Sequence, residues 1–372
     1  MDRGPRYWAK LVFGNLAVFF VVLCAVNFVA AVLYDARELI EEHFVGVSEK
    51  AYRTSVTDRA RAEKIFSEFS RLQTRYVPYV EWKREPFRGE TTNIGEDGDR
   101  ITPPTTDHPV AHARFFGGST MWGKGVDDGH TIPVAFNRLY PELAVNNHGE
   151  SGYVSRQSLE RLINIVAQGE PADLVVFYDG CNDFYTLCRT DTSLNGHSRE
   201  NELARKFRPP SMMVESVSGA LREIVFWAWG RSLKTTGPGS RCRNPEGAEA
   251  VAKNLLSGWR IAKRVADEAG AEFHAILQPV AVVGSPDVDY LGYLRDSPAQ
   301  RLSDYEAAYP VAQRMIRESG ERWMHDFTDV FDGKGPIFID ACHVNARGNE
   351  LVAQRMEERF GAAWAGHVRS QH

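Results

Sequence analysis

The chain has 372 residues, 43% of them hydrophobic and 25% charged, with a formal net charge of −5. That length exceeds one ordinary domain and suits a large α/β domain with additions, and the composition excludes a disordered or low-complexity chain. There is no repeat period and no basic run outside the N-terminal tail, which argues against a nucleic-acid partner.

Residues 1–10 carry Arg3, Arg6 and Lys10 and read as a cytoplasmic tail. Residues 11–33 are an apolar run, interrupted by Gly14, Asn15 and Asn27 but by no charge. At about 1.5 Å per residue such a run crosses a hydrocarbon core of about 30 Å as one transmembrane helix. Asp35, Glu38, Glu41 and Glu42 follow, opposed only by Arg37. The positive-inside rule then puts the rest of the chain outside the cytoplasm, in the periplasm if the cell is bacterial. The alternative is a cleaved signal peptide, but signal apolar regions run only about 7–15 residues, so an uncleaved anchor is expected.

Residues 34–110 are expected to form a juxtamembrane stalk and preface. The pattern over 34–75 is helical, with Ile65, Phe66, Phe69 and Leu72 as apolar positions. An aromatic stretch from Tyr76 to Phe87 follows, then a turn or small hairpin over Asn93–Arg100, ended by Pro103 and Pro104.

Residues 111–372 alternate strand, loop and helix. Strands are predicted over Ala113–Phe116, Leu143–Asn147, Leu174–Tyr178, Phe273–Leu277 and Trp323–Phe327. Helices are predicted over Thr131–Leu139, Ser155–Gln168 (with Leu159, Leu162, Ile163 and Val166 on one face), Gly247–Ala269, and from an Asn345 cap to Phe360. The alternation implies a doubly wound, mainly parallel sheet that binds ligands at the carboxyl ends of its strands. A long insertion, 186–247, contains an apolar piece, Ile224–Trp229, and is a candidate lid or substrate wall.

Outside the membrane run, the cysteines are Cys181, Cys188, Cys242 and Cys342. An extracytoplasmic compartment permits disulfides. Cys188 and Cys242 bracket the insertion and are the first pair to expect. Cys181 and Cys342 sit in two motif segments and could lie together. No metal-ligand spacing is present.

Four segments carry the chemistry: Phe116-Gly117-Gly118-Ser119-Thr120, Ser151-Gly152-Tyr153, Gly180-Cys181-Asn182-Asp183 and Asp340-Ala341-Cys342-His343. A serine hydroxyl attacks only when a base takes its proton. Ser119 follows two glycines that allow a tight turn. His343 is the candidate base, and Asp340, three residues earlier, can orient the imidazole. A developing oxyanion needs fixed donors. The Ser119 and Gly152 backbone N–H groups and the Asn182 side-chain amide can supply them, with Gly149 a competing choice in the second segment. Asp183 reads as a loop-fixing acceptor.

In order and spacing the four segments resemble the SGNH (GDSL-type) hydrolase superfamily, over about Ala111 to Phe360. The resemblance implies a flavodoxin-like three-layer α/β/α sandwich with a mainly parallel sheet. It also implies Ser119 as nucleophile, Gly152 and Asn182 as oxyanion donors, His343 as base and Asp340 as its partner. One position departs: Gly118 stands where the family usually has an aspartate, which leaves the nucleophile in place but changes the local turn.

The expected activity is a membrane-anchored extracytoplasmic serine esterase working through an acyl-Ser119 intermediate. The resemblance implies carboxylic esters as substrates, often acetyl groups on carbohydrate. The mechanism requires no cofactor or metal. An O-acyltransferase and a non-catalytic scaffold subunit are the alternatives.

Trp122, Tyr153 and Tyr185 lie near the motif residues and are candidate substrate contacts, with packing in the core the default reading. Asp127 and Asp128 are expected to be solvated. Gly196-His197-Ser198 resembles part of a nucleophile elbow, but Glu200 replaces its last glycine. His112, His130, His148, His197, His274 and His325 have no ligand spacing and read as structural or surface residues, although His148 is near enough the rim to touch substrate.

Overall fold

The computed structural model describes residues 5–44, 59–206, 239–292, 294 and 301–371. The chain divides into two compact units. One contains the first helix, α1 (Pro5–Phe44). Within it, Arg6–Val26 is long and apolar enough to cross a membrane. The other unit holds the sheet and everything that positions the site. The stalk segment 45–58 and the apolar piece 224–229 lie outside the described residues.

After α2 (Arg59–Phe69) the preface folds as two small antiparallel ladders. Strand β1 (Thr74–Val77) pairs with β2 (Glu81–Arg84), and β3 (Phe87–Arg88) with β4 (Asn93–Ile94). Arg100 bridges to Asn147 at the edge of the main sheet. The guanidinium of Arg100 donates to the carbonyls of Trp122, Gly123 and Val126 and lies 4.3 Å over the Trp122 ring. A fully buried cation so heavily bonded makes the preface part of the interior of the unit that holds the sheet.

The main sheet has five parallel strands: β5 (Ala111–Gly117), β6 (Leu143–Asn147), β7 (Leu174–Asp179), β8 (Glu272–Leu277) and β9 (Met324–Asp326). Their spatial order is β6-β5-β7-β8-β9, the flavodoxin-like order with its switch point between β5 and β7. β7 is buried at every residue, as a strand covered on both faces must be. Phe115, Phe116 and Phe177 are fully enclosed, with the Phe116 and Phe177 rings 5.2 Å apart.

The intervening helices are α3 (Ser119–Trp122), α4 (Ile132–Leu139), α5 (Ser155–Ala167), α6 (Cys181–Leu187), α7 (Glu200–Lys206), α8 (Pro245–Glu268), α9 (Leu302–Ser319), α10 (Ala346–Met356) and α11 (Ala362–Gln371). α8 packs between α5 and α9, while α4 packs against α10. Together with the sheet they make the three-layer α/β/α sandwich.

Three local expectations need correction. On α5 the buried face is Leu159, Leu162 and Ile165, whereas Ile163 is 37% exposed. The last helical stretch does not stop at Phe360 but runs through one π-type turn into α11. α9 was not anticipated: Pro310 lies in its middle and reads as a breaker, yet Tyr305, Ala308, Tyr309, Ala312 and Ile316 bury one face.

Candidate active site

Each motif segment follows the carboxyl end of a strand. β5 ends at Gly117, and Ser119 opens α3 two residues later, with the Gly118 carbonyl accepting from Trp122 N–H at 3.0 Å. The loop after β6 carries Gly152. The turn after β7 carries Asn182 on α6. The loop after β9 carries Asp340 and His343, where Asn345 caps α10 by accepting from Gly348 N–H at 3.0 Å.

These loops bring together residues far apart in sequence. His343 Nε2 lies 2.7 Å from Ser119 Oγ, and His343 Nδ1 lies 2.7 Å from Asp340 Oδ2. An ionised carboxylate can only accept, so Nδ1 carries the proton and Nε2 accepts from the serine hydroxyl. Asp340 Oδ1 accepts from the backbone N–H groups of Cys342 (3.0 Å) and His343 (2.9 Å), which locks the acid in place. Burial disfavours the Asp340 charge, but His343, Lys124 and the Cys342 N–H outweigh it and hold the carboxyl well below the usual range. Asp340, Cys342 and His343 bring ligand-type atoms within 4.8 Å of one another. Both imidazole nitrogens are already engaged, however, and the Cys342 thiol is pushed well up by its hydrogen bond with Cys181 and by burial.

Three candidate donors lie on the same loops: the Ser119 and Gly152 N–H groups and the Asn182 amide. Among the described residues, the N–H groups of Ser119 and Gly152 have no acceptor. Gly149 N–H instead donates to Asn147 Oδ1 at 3.1 Å, which removes the competing choice. Asn182 Nδ2 donates one hydrogen to the Tyr153 carbonyl at 2.8 Å, leaving its second for a ligand.

The same amide accounts for Gly118. A Cβ at position 118 would stand 2.3 Å from Asn182 Nδ2 and 3.3 Å from the Tyr153 carbonyl oxygen. In this chain Asn182 occupies the space a side chain would need. Asp183 ties the second and third segments together. It accepts from Ser155 N–H (3.0 Å), the Ser155 hydroxyl (2.6 Å) and Gly180 N–H (3.2 Å).

Several expected contacts fall elsewhere. Trp122 is 2% exposed beneath Arg100, and Tyr153 is 2% exposed with its hydroxyl donating to the Trp82 carbonyl, so neither faces a substrate. Tyr185 is half-buried against the core. His148 is buried between Asp99 (2.7 Å) and Arg114 (3.1 Å), away from any rim role. Asp127 and Asp128 are not free in solvent: Asp127 pairs with Arg61 and His130, and Asp128 with Arg100. Cys188 and Cys242 form a disulfide with Cα atoms 5.1 Å apart. Cys181 and Cys342 are buried free thiols, and Cys181 Sγ lies 3.3 Å from the Tyr305 hydroxyl.

Two residues at the site had no signal in the motifs. Trp82, on β2, donates through Nε1 to the Ser151 carbonyl at 3.2 Å, and Ser198 Oγ donates to the Gly152 carbonyl at 3.1 Å. Both contacts join segments distant in sequence, so no local pattern marks Trp82, and the elbow-like Gly196-His197-Ser198 does not point to the role of Ser198 here.

No family model and no curated protein matches the chain. Solved structures do. One is a member of the lipolytic G-D-S-L family from Veillonella parvula: 15% identity, 68% of this chain and 98% of that one, TM-score 0.37. A second is an acetylxylan esterase from Geobacillus stearothermophilus: 17% identity, 69% and 96% covered, TM-score 0.35. A third is an alpha/beta hydrolase enzyme from the metagenome of Lake Arreo, Spain: 17% identity, 70% and 98% covered, TM-score 0.37.

Proposed function

We propose that the protein is a serine ester hydrolase of the SGNH type, with Ser119 as nucleophile. The observation that carries this reading is the unbroken chain Ser119 Oγ, His343 Nε2, His343 Nδ1, Asp340 Oδ2, with both hydrogen bonds at 2.7 Å.

In the reaction, Ser119 Oγ attacks the ester carbonyl as His343 Nε2 takes its proton. Asp340 stabilises the imidazolium and holds its tautomer. Negative charge develops on the carbonyl oxygen and is met by the Ser119 N–H, the Gly152 N–H and the second Asn182 amide hydrogen. His343 then returns its proton to the leaving alkoxide, giving an alcohol and acyl-Ser119. A water activated by the same imidazole releases the acid and restores the serine.

The substrate class follows from the motif resemblance: small acyl esters, with acetyl groups on carbohydrate first. Anchoring through the N-terminal apolar helix, with the catalytic unit outside the cytoplasm, is supported by the basic residues before that helix and by the Cys188–Cys242 disulfide. Acyl transfer to a sugar hydroxyl shares the acyl-enzyme and differs only in the acceptor.

Turnover of p-nitrophenyl acetate by the purified protein and its Ser119→Ala variant tests the reading. The expected result is turnover by the wild type and none above background in the variant. Equal turnover by both would remove Ser119 from the mechanism.

A further inference from the structure

Gly152 takes φ +82°, a left-handed conformation that favours glycine, so the direction of its N–H depends on what holds the two flanking peptide planes. The carbonyl of the Ser151–Gly152 peptide accepts from Trp82 Nε1 at 3.2 Å. That peptide's own N–H is the Gly152 donor. The carbonyl of the next peptide accepts from Ser198 Oγ at 3.1 Å. The two side chains also close the space above the residue: a Cβ on Gly152 would stand 2.9 Å from Ser198 Oγ and 3.5 Å from Trp82 Cζ2.

Trp82 and Ser198 belong to segments outside the four motifs, the preface and the insertion. Those segments lock onto each other at this point. The Arg199 guanidinium lies 4.6 Å over the Trp82 ring and donates to Thr74 Oγ1 at 3.0 Å, while His197 packs 5.5 Å from the same indole. The insertion is itself pinned near its base by the disulfide and by Arg241 N–H donating to the Cys188 carbonyl at 2.8 Å. Arg84 and Glu150 brace the loop from below, at 2.9 Å.

We propose that Trp82 and Ser198 are positioning residues of the oxyanion hole, holding and polarising the peptide that presents the Gly152 N–H. A carbonyl that accepts a hydrogen bond makes the N–H of its own amide a better donor, and misplacing a donor by about 1 Å can cost about a hundredfold in rate. The inference rests on the esterase reading above. It assigns a catalytic duty to the preface and to the Gly196–Arg199 segment.

The test compares wild type with Trp82→Phe, Ser198→Ala and Ser198→Thr in ester hydrolysis and in the rate of Ser119 phosphonylation by a fluorophosphonate, with Tm as the folding check. Trp82→Phe and Ser198→Ala are expected to lower kcat and the phosphonylation rate in parallel, by roughly ten- to a hundredfold, with KM within twofold of wild type. Ser198→Thr, which keeps the hydroxyl, is expected to recover most of the loss. If Ser198→Ala and Trp82→Phe change only Tm or only KM, the inference is wrong. If the wild type is never phosphonylated, the esterase reading itself fails, a different result from an active wild type with unaffected variants.

Discussion

Asp340 holds its proton-free form through contacts that all come from the turn it begins, apart from the Lys124 charge. Replacing it by asparagine would keep the shape but turn an acceptor toward Nδ1–H into an amide that can impose the wrong tautomer. Asp340→Asn is therefore expected to lower kcat by roughly 10³–10⁴ with Tm little changed, read by steady-state kinetics and thermal melting. Gly118→Ala would put a methyl group where the Asn182 amide now sits, 2.3 Å from its nitrogen. The amide must swing away from Tyr153, and one oxyanion donor is lost. A fall in kcat of roughly 10²–10³ with KM nearly constant is expected; unchanged kcat would show that Asn182 does not serve the oxyanion. Ser119, His343 and Asp340 stand in short motifs whose spacing and chemistry mark them as candidates, and the fold brings their side chains within hydrogen-bond distance. Between the substrate-contact and packing readings of Trp122, Tyr153 and His148, closeness in sequence to a motif could not decide, because it does not tell which way a side chain points; all three point into the protein.

Among elements, the main-sheet strands were legible because parallel strands covered on both faces are continuous apolar runs, as in Leu174–Tyr178, whereas β1, β2 and β3 of the preface carry no such run. Pro310 interrupts the helical pattern of α9, while on the Ser155 helix Leu159 and Leu162 are buried as predicted and Ile165, not Ile163, completes the face. The β8–β9 pair carries a titratable feature no pattern marked. His325 Nε2 lies 2.9 Å from His274 Nδ1, His274 Nε2 lies 2.8 Å from Glu272, and His274 stacks on Phe360 at 3.9 Å. Burial, with the His274 and Arg359 charges, pushes His325 down to about 3. An unfolded histidine titrates near 6.5. Between these values the unfolded chain binds the extra proton, so this contribution is complete above about pH 6.5 and is lost as pH falls toward about 3. His325→Gln keeps a donor toward His274 but does not titrate. Its denaturant midpoint is expected to fall less than that of wild type between pH 7 and pH 4; parallel curves would count against a role for His325.

For the molecule as a whole, the sequence separates a membrane segment, a preface and an α/β domain, while the structure folds residues 59–110 into the same unit as the sheet. The reason is long-range: Arg100, Arg84 and Trp82 reach across to carbonyls and a carboxylate near the site, and such contacts leave no trace in local composition. The apolar helix makes a separate prediction. Expressed in a bacterial cell, the full chain is expected to stay in the membrane pellet after alkaline carbonate extraction and to run at its full mass; a soluble, shortened product would identify the apolar run as a cleaved signal. The central claim is that Ser119 is an activated nucleophile. Intact-mass analysis after fluorophosphonate treatment tests it most directly. One adduct is expected on the wild type and none on a folded Ser119→Ala variant. An unlabelled wild type with native Tm, or equal labelling of both proteins, would contradict that claim.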